Sequence, residues 1–159
     1  PRQLLTAGKD GKAKIWAWDP VGKQVSERPV VVLSHDQGVN DAVFSSNGTH
    51  VLTACDDGVA RIWNLQDQTS KQFQHADTPV KCAAYSADGK YVITGGEDKI
   101  DVIWNAATGN RMVHEGRPLE LQGHSQLITS VAFSPDGARV ITGSQDATAK
   151  ISDPKTGSE

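Results

Sequence analysis

The stretch AYSADGKYVITGGEDKIDVIWN, residues 84–105, decides the fold once it is laid beside two others. These are VFSSNGTHVLTACDDGVARIWN (43–64) and AFSPDGARVITGSQDATAKISD (132–153). With Tyr85, Phe44 and Phe133 as origin, a threonine follows nine residues on (Thr94, Thr53, Thr142) and an aspartate thirteen on (Asp98, Asp57, Asp146). The nineteenth position holds Trp104, Trp63 and, breaking the pattern, Ser152. The opening QLLTAGKDGKAKIW (3–16) repeats the second half, with Thr6, Asp10 and Trp16 at matching offsets. Four copies without an internal gap are a repeat, and a fixed period settles architecture before any local propensity. Only the connectors vary, so that successive Trp-equivalents (16, 63, 104, 152) lie 47, 41 and 48 residues apart.

Each copy reads as short strands joined by turns. VNDAVFS, THVLTA and VARIWN alternate or run apolar and are rich in Val, Ile, Thr and aromatics. SSNG, SADG and SPDG between the first two strands are turn sequences, because Asn or Asp bonds back to nearby amides and Gly accepts positive φ. A fourth strand is expected at VVVLS (30–34), SKQFQ (70–74) and LELQG (119–123). No ten-residue amphipathic helix occurs, so the chain is all-β. Four antiparallel strands recurring about every forty-five residues are a β-propeller blade rather than a sandwich.

The 159 residues suffice for one core, and 37% hydrophobic with 22% charged residues is an ordinary globular composition. No apolar run is long enough to span a bilayer as a helix. Sixteen Lys and Arg against nineteen Asp and Glu argue against a surface built to neutralise nucleic-acid phosphates. The balance is uneven: residues 1–28 carry six basic and three acidic groups, the remainder ten and sixteen. Cys55 and Cys82 are too few for a disulfide framework and are expected to be buried thiols in a reducing compartment. The stretch opens on Pro1 with no charged-then-apolar leader, which gives the expectation of a cytoplasmic segment of a longer chain.

These residues resemble the WD-repeat β-propeller family over essentially the whole chain. The Gly-His pair of that family is intact as Gly123-His124 and reads Ser34-His35 and Gln74-His75 elsewhere. The terminal Trp-Asp dipeptide reads Trp16-Ala17, Trp63-Asn64, Trp104-Asn105 and Ser152-Asp153. The resemblance implies a buried relay in each blade, from Trp indole to Thr hydroxyl, Thr to His, and His to the turn Asp. The sets are His35, Thr53, Asp57 and Trp63, then His75, Thr94, Asp98 and Trp104. The last copy keeps His124, Thr142 and Asp146 but has no indole at Ser152, and the first supplies Thr6, Asp10 and Trp16. Recurrence in every copy argues for a structural role, since a catalytic group is needed once. One additional residue lies between His75 and Tyr85, so that loop is expected to bulge or shift.

Function then divides into two classes. The first is a non-catalytic scaffold that binds a protein or peptide, a fragment of a larger signalling or regulatory protein. The resemblance places partners on the narrower face, at Lys9, Asp56, Glu97 and Gln145 before each turn Asp, with Gly38, Asn40, Lys81, Leu127 and Thr129 beside them. These mixed charges suit a polar peptide more than DNA, and the alternative reading is that they are solvated turn residues. The second class is a hydrolase-like propeller enzyme with a single channel site, for which Asp56 and Glu97 are the nearest carboxylates. No metal or cofactor signature is present: no HExxH, no Cys/His cluster and no calcium loop. His50 and His114 fall outside the repeat and are expected at the surface, and the TGGEDK glycines (94–99) lack the strand–loop–helix setting of a phosphate cradle. Trp18 is expected to pack on the loop 19–29, which with 109–118 carries the length variation, the alternative being an exposed aromatic anchor. The style of SPDG turns and VITGS strands resembles bacterial members.

The copies are read as 1–34 (a blade lacking its inner strand), 35–74, 75–123, and 124–159 (lacking its outer strand). About four blades in a partial ring leave strand edges open to self-association. Further repeats in a parent protein are the expected completion, and a second chain is the alternative.

Overall fold

A computed structural model of the chain describes residues 2–159, so Pro1 at the head of the 1–34 copy lies outside the described residues. Every element is a strand: β1 (Arg2–Gly8), β2 (Lys12–Asp19), β3 (Gln24–Val25), β4 (Val31–Ser34), β5 (Val39–Phe44), β6 (His50–Cys55), β7 (Val59–Asn64), β8 (Ser70–Gln74), β9 (Val80–Tyr85), β10 (Tyr91–Gly96), β11 (Asp101–Asn105), β12 (Val113–His114), β13 (Arg117–Pro118), β14 (Glu120–Leu121), β15 (Ile128–Phe133), β16 (Val140–Ser144) and β17 (Ala149–Ser152). They form antiparallel sheets that follow the copies: β1-β2 with β3 and β4, then β5-β6-β7-β8, β9-β10-β11-β14 and β15-β16-β17.

Register repeats from sheet to sheet because the sequence does. Leu4 lies opposite Trp16, Val51 opposite Trp63, and Val92 opposite Trp104. The turn after the first strand has one construction in three copies: Ser45, Ser86 and Ser134 each donate to Asn47, Asp88 or Asp136 at 2.6–2.8 Å. Gly48, Gly89 and Gly137 close these turns, all at φ 69, a conformation in which a Cβ is penalised. The 19–29 insertion lengthens β2 past the repeat and folds it back as the β3 hairpin, with Trp18 half-buried beside it. In the third copy the expected outer strand at 119–123 shrinks to Glu120–Leu121, and the 109–118 insertion forms its own hairpin of β12 and β13.

Period two sends alternate side chains to opposite faces of each sheet, and the two faces are unlike. One is aliphatic: Leu5 and Ile15, Leu52 and Ile62, Ile93 and Ile103, Ile141 and Ile151. The other presents Val or Leu, Thr and Trp. Three core clusters form where the aliphatic face of one sheet meets the Thr/Trp face of the next. Ile15 and Leu33 pack with Val51 and Trp63, Leu52 and Phe73 with Val92 and Trp104, and Ile93 and Ile103 with Val140 and Phe133. At the two ends the faces are open, with Leu4 43%, Ile141 46% and Ile151 56% exposed. Among the described residues the first and fourth sheets share no core cluster, so the ring is partial.

Candidate functional site

The third sheet holds the complete four-residue set. Trp104 Nε1 donates to Thr94 Oγ1 at 2.8 Å, His75 Nδ1 meets the same hydroxyl at 2.8 Å, and His75 Nε2 meets Asp98 at 3.2 Å. All but Asp98 are buried. Burial alone would raise the Asp98 carboxyl, yet the hydrogen bond from His75 and the Ile100 amide hold it below the usual range. In the fourth sheet His124 bonds Thr142 through Nε2 (2.9 Å) and Asp146 through Nδ1 (3.0 Å). The His75 ring is therefore turned over relative to His124, in the copy with the additional residue after the histidine. Ser152 is buried in the tryptophan's place and lies opposite Val140. In the first sheet Trp16 donates to Thr6 at 3.1 Å, and Asp10 pairs with Lys14 at 2.6 Å.

The second sheet departs from the expected relay. Trp63 and His35 both reach Thr53, at 3.1 and 2.8 Å, but Asp57 does not bond His35. It accepts Arg61 Nη2 at 2.6 Å and the Val59 amide at 3.0 Å, leaving His35 Nδ1 buried without a partner. The cause is a basic residue four positions after the aspartate: a guanidinium fork outcompetes a neutral imidazole for a carboxylate. Val102 holds that position in the third copy, which leaves Asp98 to His75. In the fourth, Lys150 pairs instead with Glu159. Burial and the nearby Arg61 cation both lower the His35 pKa and keep the ring neutral. Asp57→Ala is thus expected to cost about 2 kcal/mol by stranding Arg61, whose side chain is only 11% exposed, rather than by freeing a histidine. Urea unfolding of Asp57→Ala against the double variant Asp57→Ala/Arg61→Met separates the two accounts, since removing both partners is expected to cost less than removing Asp57 alone.

At the end of the sheets carrying the β1–β2, β6–β7 and β10–β11 turns, one polar network crosses three copies. Lys9 Nζ donates to Asn40 Oδ1 (2.5 Å) and Asp56 Oδ2 (2.9 Å). Asn40 Nδ2 donates to Asp56 Oδ1 and to the Val80 carbonyl, both at 2.7 Å. Lys81 bridges Asp56 at 2.9 Å and Glu97 at 3.1 Å. Gly38 leaves room for this network, since a methyl group there would lie 2.8 Å from Asp56 Oδ2 and 3.0 Å from Lys9 Cδ. Burial pulls the Asp56 pKa upward, but Asn40, Lys81 and Lys9 outweigh it and hold the carboxyl well below the usual range. The free ends of the chain of charges are Lys9, 69% exposed, and Glu97, 42%. Gln145, Leu127 and Thr129 lie on the same rim outside this network: Gln145 N donates to Leu127 O at 3.0 Å, and Thr129 Oγ1 to Gly143 O at 3.1 Å.

Other residues gain roles that the repeat did not announce. Asp101 is 1% exposed in β11, and its Oδ1 meets no partner. The other copies hold Ala13, Ala60 and Ala149 there, so its signal was an outlier within the repeat. Arg111 ties the third copy together by stacking 5.1 Å over Trp104, donating to the His75 carbonyl at 2.6 Å and pairing with Glu120 at 3.0 Å. Cys55 and Cys82 are both buried and free. His50 is half-buried beside Thr49, and His114 is exposed. Among the described residues no group of three or more His, Cys, Asp or Glu is placed to hold a metal ion, and no helix is long and apolar enough to cross a membrane.

Repeated four-stranded sheets, seams of aliphatic against Thr/Trp faces, and a His–Thr–Asp–Trp set define a β-propeller segment. The WD domain, G-beta repeat family profile matches residues 27–64, 67–105 and 117–153, most of the chain, and the chain belongs to that family. It is similar to the probable E3 ubiquitin ligase complex SCF subunit sconB of Penicillium rubens, at 45% identity over 31% of this chain and 7% of that protein. It is also similar to Lissencephaly-1 homolog 1 of Paramecium tetraurelia, at 30% identity over 43% of this chain and 16% of that protein. Protein DAMAGED DNA-BINDING 2 of Arabidopsis thaliana is 37% identical over 48% of this chain and 14% of that protein. The chain therefore spans well under a fifth of each of these relatives.

Proposed function

We propose that this chain is a non-catalytic segment of a protein-interaction scaffold, and that the Lys9–Asn40–Asp56–Lys81–Glu97 rim is its contact surface for a polar peptide or protein partner. The observation that carries this reading is the network itself. It fixes alternating charges on a rigid frame across three copies and leaves a cation at one end and a carboxylate at the other. Such fixed complementary charge supports partner choice and docking register more than raw affinity. The fungal relative's name as a subunit of a ligase complex supports the same class of role. The enzymatic alternative draws less support. Asp56 is closed by three donors and held ionised, which ill suits a general acid or base, since such a group works best with a pKa near the operating pH.

The test is affinity capture with the whole protein carrying Lys9→Glu or Glu97→Lys. Partners captured by the wild type are expected to be depleted several-fold in both variants and retained in the distant exposed control Lys155→Glu. Equal capture by all four proteins, with unchanged melting temperatures, would remove the rim from the function.

A further inference from the structure

The repeat is broken by polar residues twice at one seam. Lys71 in β8 lies opposite Ile62, where the first copy places Val31 opposite Ile15. Tyr85 occupies the position of Phe44 and Phe133. Both line a cleft of about 560 Å³ between the second and third sheets. Its mouth is formed by the turns after β5, β7, β9 and β11, at the end of the sheets opposite the Lys9–Glu97 rim.

Among the charged and amide groups of this cleft the unspent valences are donors. Lys71 Nζ meets only backbone carbonyls, those of Ala106 at 3.4 Å and Ala107, and makes no ion pair among the described residues. The Tyr85 hydroxyl is shut away from solvent without a partner, burial raises its pKa so that it keeps its proton, and it lies beneath the surface that a ligand would touch. Asn47 and Asn64 have committed their carbonyl oxygens to the Thr49 amide (3.1 Å) and the Gln66 amide (2.9 Å), which leaves their NH₂ groups to the cleft. The one carboxylate in the lining, Asp88, is closed on its own turn by Ser86 Oγ at 2.7 Å, the Lys90 amide at 3.1 Å and Lys90 Nζ at 3.4 Å. A site with a spare cation and amide donors lacks one thing, an acceptor bearing negative charge.

We propose that this cleft binds an oxyanion, the carboxylate or phosphate group of an acidic peptide segment, with Lys71 as its counter-charge and the Asn47 and Asn64 amides as directional donors. This site is separate from the rim and does not rest on the rim's reading.

Backbone-amide NMR of the chain, titrated with inorganic phosphate and then with short peptides carrying phosphoserine or glutamate, tests it. Saturable shifts are expected at Ser46, Asn64, Lys71 and Gly89, with Lys9 and Glu97 unmoved. Lys71→Met is expected to weaken binding about tenfold, the loss of one charge-assisted contact, and Tyr85→Phe to leave it unchanged. Both variants place residues tolerated by the fold, since phenylalanine fills the Tyr85 position in two other copies. The tighter of the two peptides identifies the group recognised. Shifts reproduced by sodium chloride at equal ionic strength, or unchanged affinity in Lys71→Met, overturn the assignment.

Discussion

Replacing Asp101 by alanine is expected to stabilise the protein, and more strongly above about pH 8 than near pH 4. The carboxyl is enclosed by Gly95, Leu121 and Ile128, with Cys82 beyond Gly95 on β9 and Asp98 nearby, and none of these gives it a hydrogen bond. Burial first, and then the negative charge of Asp98, push its pKa from 3.8 up to about 8. The folded chain therefore binds one more proton than the unfolded chain between about pH 4 and pH 8, so this residue's contribution falls as pH rises through that window and levels off above it. The gap between 3.8 and about 8 sets a ceiling near 5–6 kcal/mol, and local relaxation brings the expected gain from Asp101→Ala to about 2–4 kcal/mol at alkaline pH. Alanine fits, since Ala13 and Ala60 fill this position with no exposure. Melting temperatures of wild type and variant across pH measure it. A difference between the two that does not change with pH would remove the buried carboxyl from the account.

The second large effect is a loss. Thr94→Val keeps the shape of a fully buried side chain but withdraws the hydroxyl that serves both Trp104 and His75. Two buried groups then lack partners, and the expected cost is about 3 kcal/mol. Thr6→Val makes the same chemical change beside Trp16, where the threonine is exposed and water replaces the lost bond. About 0.5 kcal/mol or less is expected there. Denaturant unfolding of the two variants side by side decides whether the relay's contribution comes from burial or only from its pattern.

What could be read in the sequence is what the period enforces. The offsets of nine and nineteen residues place Thr and Trp on paired strands in each copy that keeps its tryptophan, and the meeting of Trp104 with Thr94 is the one that the family resemblance implied. The Ser-x-Asp-Gly turns were legible for the same reason, since their chemistry is local. What escaped was set by competition and by insertion. Arg61 was visible four residues after Asp57, but its victory over His35 depends on how far the ring stands from the carboxylate. The outer strand of the third copy was shortened by a hairpin whose own pairing, Val113 with Pro118 and His114 with Arg117, has no counterpart in the repeat. On the rim, Lys9, Asn40, Asp56, Lys81 and Glu97 were named as neighbours of a face. That they join into one network, while Gln145, Leu127 and Thr129 do not, depends on side-chain reach across seams.

The unlike faces of each sheet have a consequence for how such a chain can change over generations. A layer with an aliphatic front and a Thr/Trp back has a direction, so layers stack only in one sense. Duplicating or deleting a whole copy recreates a seam of the same kind. The heritable unit of growth is then one full period, and drift within it is free at the connectors and constrained at the faces. Asp101 marks where that interchangeability has been given up. A copy carrying it seats well only against a neighbour that tolerates a carboxyl at the seam, which gives that one copy a fixed place in the order.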